Sequence, residues 1–514
     1  MRKIFFSIVS LLLIISLVGC STNNAPSQDN EQNTDANSNH ITLAYCFNDV
    51  INPYKAKTEI NQKLSHLLFD SLVEINENFS VDYQLADNIS LENKVCKVTI
   101  KDTLFTDGSS LTASDIIYSA KLAKESGKYT TLFSNVKNFT ADNQKTVVFE
   151  LNKQDINFPA LLTFPIIKNG TSDLKTDNNL SLPPIGCGKY IPDFSNNKLV
   201  RNENYHSTKP IDSQINIINI PDNEALEYSI SCGKISLWLD DYKSEKTITA
   251  SGGTIAVPSN NFIYIGINSE NNILCLPQIR YALSAILDRS TICSDIFNGY
   301  ATATSSLFNP NWSAIKNIQE NIDKPNNNIF LANLEEIGYN RLDAYGYRLT
   351  SSGKSFGFKL VYCNDTQLKT ALANEIYYQL NKAGIKIELV GMPYSYYIKA
   401  LNSKSFDLYL AETIIDNNMD YSSLLFEDGN LNFGGVFYQT EEENDIHSTF
   451  EDTFSAYHSG EAELYNIINI FSLQMPIIPI CYKSNTFSYQ KNIDGSYKYS
   501  PSDPYYAIMD CHIK

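Results

Sequence analysis

Beyond one run near its start, the 514-residue chain has no apolar stretch approaching bilayer-spanning length, which excludes a protein built of several membrane helices. Positive charge is in short supply: 40 Lys and Arg stand against 57 Asp and Glu, a net charge of −17. That balance argues against a nucleic-acid partner and against docking on anionic lipid through a basic surface. Histidine is scarce as well. The six residues His40, His66, His206, His447, His458 and His512 include no pair at metal-ligand spacing on a helix, so neither a metal site nor a catalytic histidine is expected. There is no Gly-x-Ser-x-Gly elbow, no phosphate-binding Gly-x-x-x-x-Gly-Lys-Ser/Thr loop and no Gly-x-Gly-x-x-Gly fingerprint. No cofactor and no enzymatic activity are therefore expected, although the plentiful carboxylates leave a surface hydrolase as an alternative. Gly186-Cys187-Gly188 reads as a turn entering a strand, because Pro183-Pro184 precede it and Lys189-Tyr190 follow.

What the chain does have begins at its N-terminus. Arg2 and Lys3 precede an apolar run, Ile4 to Val18, that ends in Leu17-Val18-Gly19-Cys20. The run is too short to span a bilayer comfortably and reads as a removable signal over residues 1–19. Its end resembles the lipobox of bacterial lipoproteins, which implies cleavage before Cys20 and diacylation of its thiol. Two acyl chains hold a protein on a membrane where one gives only transient binding. The expected location is thus the extracytoplasmic face of the cell membrane, with the protein lipid-anchored. Residues 20–40 are rich in Ser, Asn, Gln, Asp and Thr and cannot bury a core, so they form a flexible tether reaching on the order of 25 Å. Loss of Arg2 and Lys3 with the signal leaves the mature chain at −19.

The remaining body, 43% hydrophobic over the whole chain, is long enough for two or three domains. Of ten cysteines, nine remain after Cys20, an odd number without paired spacing; a complete disulfide framework is not expected, and one or two bridges stay open. Cys46, Cys96, Cys363 and Cys481 lie in apolar strand-like runs, where Cys serves as a small hydrophobe.

Local patterns place several elements. Lys94–Ile100 alternates, with Cys96, Val98 and Ile100 on one face, as a half-buried strand does. Thr112 and Asp115 form a capping-box variant before the apolar stripe of Ile116, Ala120 and Ala123, so a helix starts at Ala113. A second helix is expected over Gln278–Arg289 from the stripe Ile279, Ala282, Leu283, Ile286 and Leu287. From Phe358 the pattern runs strand (Phe358–Cys363), helix (Gln367–Ala383, stopped by Gly384), strand (Ile385–Val390), short helix (Tyr396–Leu401), strand (Phe406–Ala411). That series is the signature of an α/β fold with a parallel sheet covered on both faces. Tyr394, Tyr396 and Tyr397 read as the opening of a helix packed on that sheet, with a stacking platform for a ligand as the other reading.

Several segments together resemble solute-binding protein family 5, the dipeptide- and oligopeptide-binding components of ABC importers. Phe105-Thr106-Asp107-Gly108-Ser109-Ser110-Leu111-Thr112-Ala113-Ser114-Asp115 is similar to the family's Phe-x-Asp-Gly-x-x-Leu-Thr-Ala-x-Asp signature. Ile185–Tyr190, with Arg201-Asn202-Glu203-Asn204-Tyr205 after it, resembles its Gly-Thr-Gly-Pro-Tyr turn and Arg-Asn-x-x-Tyr segment. Tyr264–Asn268, Arg280–Arg289, Gly299 and Phe406-Asp407-Leu408 follow in family order. The resemblance implies a two-lobed clamp of the periplasmic-binding-protein type II class, with an extra subdomain in the first lobe. Mapped here, the first lobe is expected at about 41–260 plus 487–514, with the subdomain at about 51–180, and the second lobe at about 261–486.

The function so implied is capture of di- or oligopeptides between the lobes and delivery to an ABC permease served by ATPase subunits, by a protein expected to be monomeric. An oligosaccharide, a metal chelate or a signalling peptide on the same fold is the alternative. In the family, an aspartate just after the Phe-Asp-Leu strand meets the ligand's α-amine. The corresponding residues here are Thr413-Ile414-Ile415-Asp416-Asn417-Asn418-Met419-Asp420. Asp416 is therefore the expected amine anchor, with Asn417 nearby and backbone groups near Glu412 and Ile414 pairing with the peptide. Thr413 stands where the family pattern has tryptophan, and no proline follows Asp420. Asp416 and Asp420 read alternatively as solvated turn residues.

Overall fold

The computed structural model describes residues 39–242, 250–318, 321, 323–437 and 450–514; Cys20 and the signal and tether expected around it lie outside these. Helix α1 (Ala113–Ser126) starts where its capping box puts it. The Asp115 carboxylate accepts from the Thr112 N–H at 2.9 Å and from its hydroxyl at 2.7 Å, and Ile116, Ala120 and Ala123 are buried. Gly127, at φ 69°, closes the helix in a conformation other residues adopt only with strain. An antiparallel sheet of the order Ala86–Glu92, Val95–Ile100, Thr146–Leu151, Val136–Ala141 lies in the same core, with Cys96, Val98 and Ile100 inward as their alternation dictates.

A second four-stranded sheet joins Thr42–Tyr45, Gln214–Asn219, Lys198–Arg201 and Tyr190–Asp193 in that order. The Gly186–Gly188 turn does enter the last of these. Its glycines are fixed by close approach: a Cβ on Gly188 would lie 2.4 Å from the Leu68 carbonyl carbon, and one on Gly186 would lie 2.1 Å from the Leu68 oxygen. Both sheets, α1 and the C-terminal segment through Cys511 share one apolar core.

The largest sheet has seven strands: β1 (Leu237–Asp241), β2 (Gly253–Ile267), β3 (Ala301–Ala303), β4 (Gly357–Cys363), β5 (Lys386–Met392), β6 (Leu408–Ile414) and β7 (Ile477–Tyr489). Its order is β1-β7-β2-β6-β4-β5, with β3 alongside β7. Strands β4, β5 and β6 are mutually parallel where they pair, and β2 meets β6 antiparallel. Helix α2 (Pro277–Ala285) precedes this series, α3 (Gln367–Lys382) joins β4 to β5 and α4 (Tyr394–Asn402) joins β5 to β6. Leu372, Ile376 and Leu380 of α3 pack on one face with Leu360, Leu408 and Leu410, while Tyr397 and Leu401 of α4 pack on the other with Val361 and Tyr409. The alternating strand-and-helix series read from the sequence is thus present, and both sheet faces are covered as a parallel sheet requires.

Strands β2 and β7 run between the core shared by the two smaller sheets and the cores on either face of β4–β6. Val257 and Phe487 belong to the former, Ile263, Ile265, Ile478 and Ile480 to the latter. The β2/β7 register breaks between Val257 and Asn261, where Pro258 can donate no ladder hydrogen bond.

One expectation is corrected. The helix expected over Gln278–Arg289 ends at Ala285, and a separate turn, Arg289–Thr291, is capped by the Asp288 carboxylate. The cause is tertiary. Arg289 is fully buried and donates to the carbonyls of Pro479 and Ser284 at 2.9 Å each, which draws the chain out of the helical path.

Candidate ligand-binding cleft

Strand β6 lies between β2 and β4, but β4 accompanies it only as far as Tyr362 opposite Leu410; after Cys363 the chain leaves the sheet for α3. Antiparallel pairing with β2 continues through Ile414. Over residues 411–414, β6 therefore has one paired edge and one on which no strand pairing with β4 continues. A cavity of about 460 Å³ lies along that edge, at the C-terminal end of β4, where ligands of open α/β sheets bind. Leu368, Lys369 and Leu372 wall it on the α3 side, and Tyr394, Tyr397 and Leu401 on the α4 side.

Two glycines make the walls possible. A Cβ on Gly266 would fall 1.9 Å from the Tyr409 ring and one on Gly391 2.6 Å from the Tyr362 ring, so both tyrosines lie across glycines on neighbouring strands. Tyr397 is buried and its hydroxyl donates to the Leu410 carbonyl at 2.8 Å, whereas Tyr394 and Tyr396 are exposed. The three tyrosines do open a helix packed on the sheet, and Tyr394 and Tyr397 also face the cavity.

The expected site residues occupy the end of β6 and the turn after it. Glu412 projects to the α3 side, where its carboxylate accepts from Lys483 of β7 and from Asn261 at 2.8 Å, with Lys369 at 3.8 Å. Burial alone would raise the Glu412 pKa, but the two ammonium groups and Asn261 hold it below the ordinary value. Ile414 is 75% exposed, so its apolar side chain is not what fixes it there; its backbone pairs with Asn261 on the β2 side.

Asp416 lies beyond the strand, and its Oδ2 accepts from the Thr131 hydroxyl at 2.8 Å. Thr131 belongs to the short helix Thr130–Asn135, whose Leu132 and Phe133 pack in the core of the two smaller sheets. Asp416 keeps solvent-accessible surface, yet the protein crowded around it raises its pKa by desolvation, with the Asp420 charge adding to the effect and Thr131 opposing it. Asn417 is half-buried next to it. Asp420 caps the following turn, its Oδ1 accepting from the Ser422 N–H at 2.8 Å. Asp416 is itself exposed and opens a turn, its carbonyl accepting from the Met419 N–H at 2.9 Å, so the turn-residue reading describes both aspartates, and Asp416 in addition accepts from Thr131.

Close by, a second set of contacts joins the same two regions. Asn157 donates to the Asn418 carbonyl at 3.1 Å, Asn418 donates to Asp155 at 2.9 Å, and Asp155 Oδ1 lies 2.8 Å from His458 Nδ1 at the end of α5 (Phe450–His458). Between these regions lies a more polar cavity of about 670 Å³.

Thr131, Lys369, Lys483 and Asn261 were not singled out by the sequence. Lys483 carried a signal, since it is the one charged residue within the strand Ile477–Tyr489. Thr131 carried none, because its role depends on a partner 285 residues away. Three of the histidines pair with aspartates: His40 with Asp212 at 2.8 Å, His206 with Asp70 at 2.6 Å and His458 with Asp155. All nine cysteines among the described residues are free thiols.

Two core regions linked by paired strands, with an accessible sheet edge and charged groups in a cleft, define a two-lobed solute-binding clamp. The family model of bacterial extracellular solute-binding proteins, family 5 Middle, matches residues 80–433, and the chain belongs to this family of ABC-importer substrate-binding proteins. The chain is similar to the oligopeptide-binding protein AppA of Bacillus subtilis strain 168, at 24% identity over 544 aligned positions that take in 99% of this chain and 98% of AppA. It is also similar to the nickel-binding protein NikA of Staphylococcus aureus strain NCTC 8325 / PS 47, at 25% identity over 271 positions, 51% of this chain and 50% of that one. Among solved structures, the unliganded open form of MppA, a periplasmic murein tripeptide binding protein, superposes with a TM-score of 0.73 at 18% identity, covering 93% of this chain and 99% of that chain. No described helix is long and apolar enough to cross a membrane.

Proposed function

We propose that the chain captures peptides in extended form, laying them along the edge of β6 at residues 411–414. The carrying observation is that edge with the 460 Å³ cavity beside it. A peptide is the ligand whose own backbone can continue hydrogen bonding where β4 leaves off, and such pairing is independent of ligand sequence. Asp416 then receives the ligand α-amine in place of the Thr131 hydroxyl, and Asn417 supports it. Similarity to a protein named for oligopeptide binding over nearly its whole length supports this reading. Titration calorimetry of the mature protein with short free-amine peptides and their N-acetylated counterparts tests it: the free-amine forms bind and acetylation weakens them at least tenfold. Equal affinities would remove Asp416 from its role, and no binding of any peptide would remove the peptide reading.

A metal chelate is the second reading. It is favoured by the similarity to a nickel-binding protein and by the two lysines gathered at one glutamate, whose surplus positive charge suits a chelator's carboxylates. In either case the ligand stabilises the arrangement in which both lobes touch it, and that closed form is what a permease recognises. Delivery to the membrane partner is made efficient by a lipid on Cys20, so Cys20→Ser is expected to abolish uptake by cells while leaving binding by the purified protein intact. Uptake unchanged in that variant would remove the anchor from this account.

A further inference from the structure

Contacts between the two core regions continue past Asp416. Residues 154–157 follow the strand Thr146–Leu151 and lead into Phe158 and Leu161, which pack in the core of the two smaller sheets, while Ala160 between them reaches the core on the α4 side. Facing them is the C-terminal end of α5, whose Phe454 and Tyr457 pack with Met419 in that second core. Backbone meets backbone there: the Ile156 N–H donates to the His458 carbonyl at 2.8 Å, and Gln154 donates its side-chain amide to the Ser459 carbonyl. Asp155 stands at the centre. It is 5% exposed, its Oδ2 accepts from Asn418 and its Oδ1 lies 2.8 Å from His458 Nδ1, so one carboxylate of the first region takes two partners from the second. Asn157 adds bonds to the Asn418 carbonyl and to the Tyr457 hydroxyl.

None of these residues lines the cavity beside β6. Their bonds close within the protein and ask nothing of a ligand, unlike the bond from Thr131 to Asp416 at the expected amine position. A buried carboxylate is costly to leave unpaired, so parting the two regions means rehydrating Asp155, Asn418 and His458 together. We infer that Asp155, with Asn157, Asn418 and the end of α5, is a clasp that holds the two lobes together in the absence of ligand, so that the ligand-free chain rests joined and opens only transiently. The clasp involves no ligand group, so it stands apart from the peptide reading and holds for a ligand of any class. Asp155 and Asn157 are then positioning residues, setting the fraction of the protein that is open for a ligand to enter.

Ligand-free mature protein, refolded from guanidinium chloride to strip any co-purified ligand and checked by native mass spectrometry, is the sample that tests this. In wild type, hydrogen exchange should find the Ile156 amide protected about a hundredfold or more over an unstructured amide, since its partner is the His458 carbonyl across the cleft. Asp155→Ala should cut that protection about tenfold or more and raise the radius of gyration in small-angle scattering, with Asn157→Ala moving both in the same direction by less. Circular dichroism and the protection of the β4 amides should stay as in wild type, which separates opening of the lobes from loss of structure. An Ile156 amide that exchanges as an unstructured one in wild type would overturn the clasp, and so would a radius of gyration unchanged in both variants. The wild-type exchange decides the matter even if Asp155→Ala does not fold.

Discussion

Thr131 and Asp416, 285 residues apart, share a hydrogen bond of 2.8 Å that joins a helix of one core region to the turn after β6 in the other. It connects the expected amine anchor to the opposite wall of the cleft. A carboxylate held in this way is a receptor for a donor from the ligand, and exchanging a hydroxyl for an ammonium strengthens the contact, because hydrogen bonds between ionised groups are about twice as strong as neutral ones.

Asp416→Ala is accordingly expected to fold normally, since Asp416 keeps solvent-accessible surface, and to bind free-amine peptides at least tenfold more weakly. Removing one member of a hydrogen-bonded charge pair in a cleft costs about 2–5 kcal/mol. Thr131→Ala should change the same affinity by much less. Parallel calorimetry and thermal melts of the two variants check this, and equal losses of affinity in both would contradict it.

The pH dependence of binding follows from the raised pKa of Asp416, caused first by desolvation and then by Asp420. An ammonium binds the carboxylate, so below the pKa of the free protein binding must first expel a proton. Affinity should therefore be constant near neutrality and fall as the solution is acidified, beginning at a higher pH than an ordinary aspartate would give. Calorimetry from pH 7.5 down to 4 measures the onset, and Asp416→Asn should remove it.

Glu74 makes stability itself pH-dependent. It is buried beside Asp503 and Asp70, and desolvation first, then those charges, push its pKa up to about 8, against the opposing pull of Lys189. The folded form thus holds a proton that the unfolded chain releases at its ordinary value, 4.5. The stability this contributes is complete below the unfolded value and is lost as pH rises towards 8. Thermal melts should show a melting temperature falling across that window, and Glu74→Gln should flatten the fall and melt higher than wild type at pH 8.

Arg289 supports the sheet and does not reach the cleft. Replacing it with Met removes its bonds to the Pro479 carbonyl and to the Ser284 carbonyl and hydroxyl, of which the Ser284 carbonyl keeps the Leu287 N–H at 3.4 Å. A buried acceptor left short of a donor costs about 1–3 kcal/mol, and a loss of that size is expected in chemical denaturation. Peptide affinity of the folded fraction should be unchanged.

Gly266→Ala would put a methyl group 1.9 Å from the Tyr409 ring. The ring has to move, and overpacking of this kind costs about 1–3 kcal/mol. A lowered melting temperature is expected, with binding altered too because Tyr409 floors the cavity.

These residues also mark how far the sequence could be read. The capping box at Thr112 and Asp115, the buried alternation of Cys96, Val98 and Ile100 and the series from β4 to β6 were legible because each is written in residues a few positions apart. The end of α2 was not, since Arg289 is drawn from the helical path by a carbonyl on β7, 190 residues on. The resemblance placed Asp416, Glu412 and Ile414 together at the end of one strand, but neither the carboxylate's partner Thr131 nor the ammonium of Lys483 on Glu412 could be read, because both cross the chain. The exposed edge of β6 was equally hidden: it depends on where β4 stops, a matter of register between strands rather than of composition.

The most direct test of peptide capture is native mass spectrometry of the mature protein purified without refolding, with the ligand identified after its release. A population carrying extra mass is expected, resolving into short peptides with free amines that added peptide displaces. A bound sugar or metal chelate that added peptide fails to displace would contradict it.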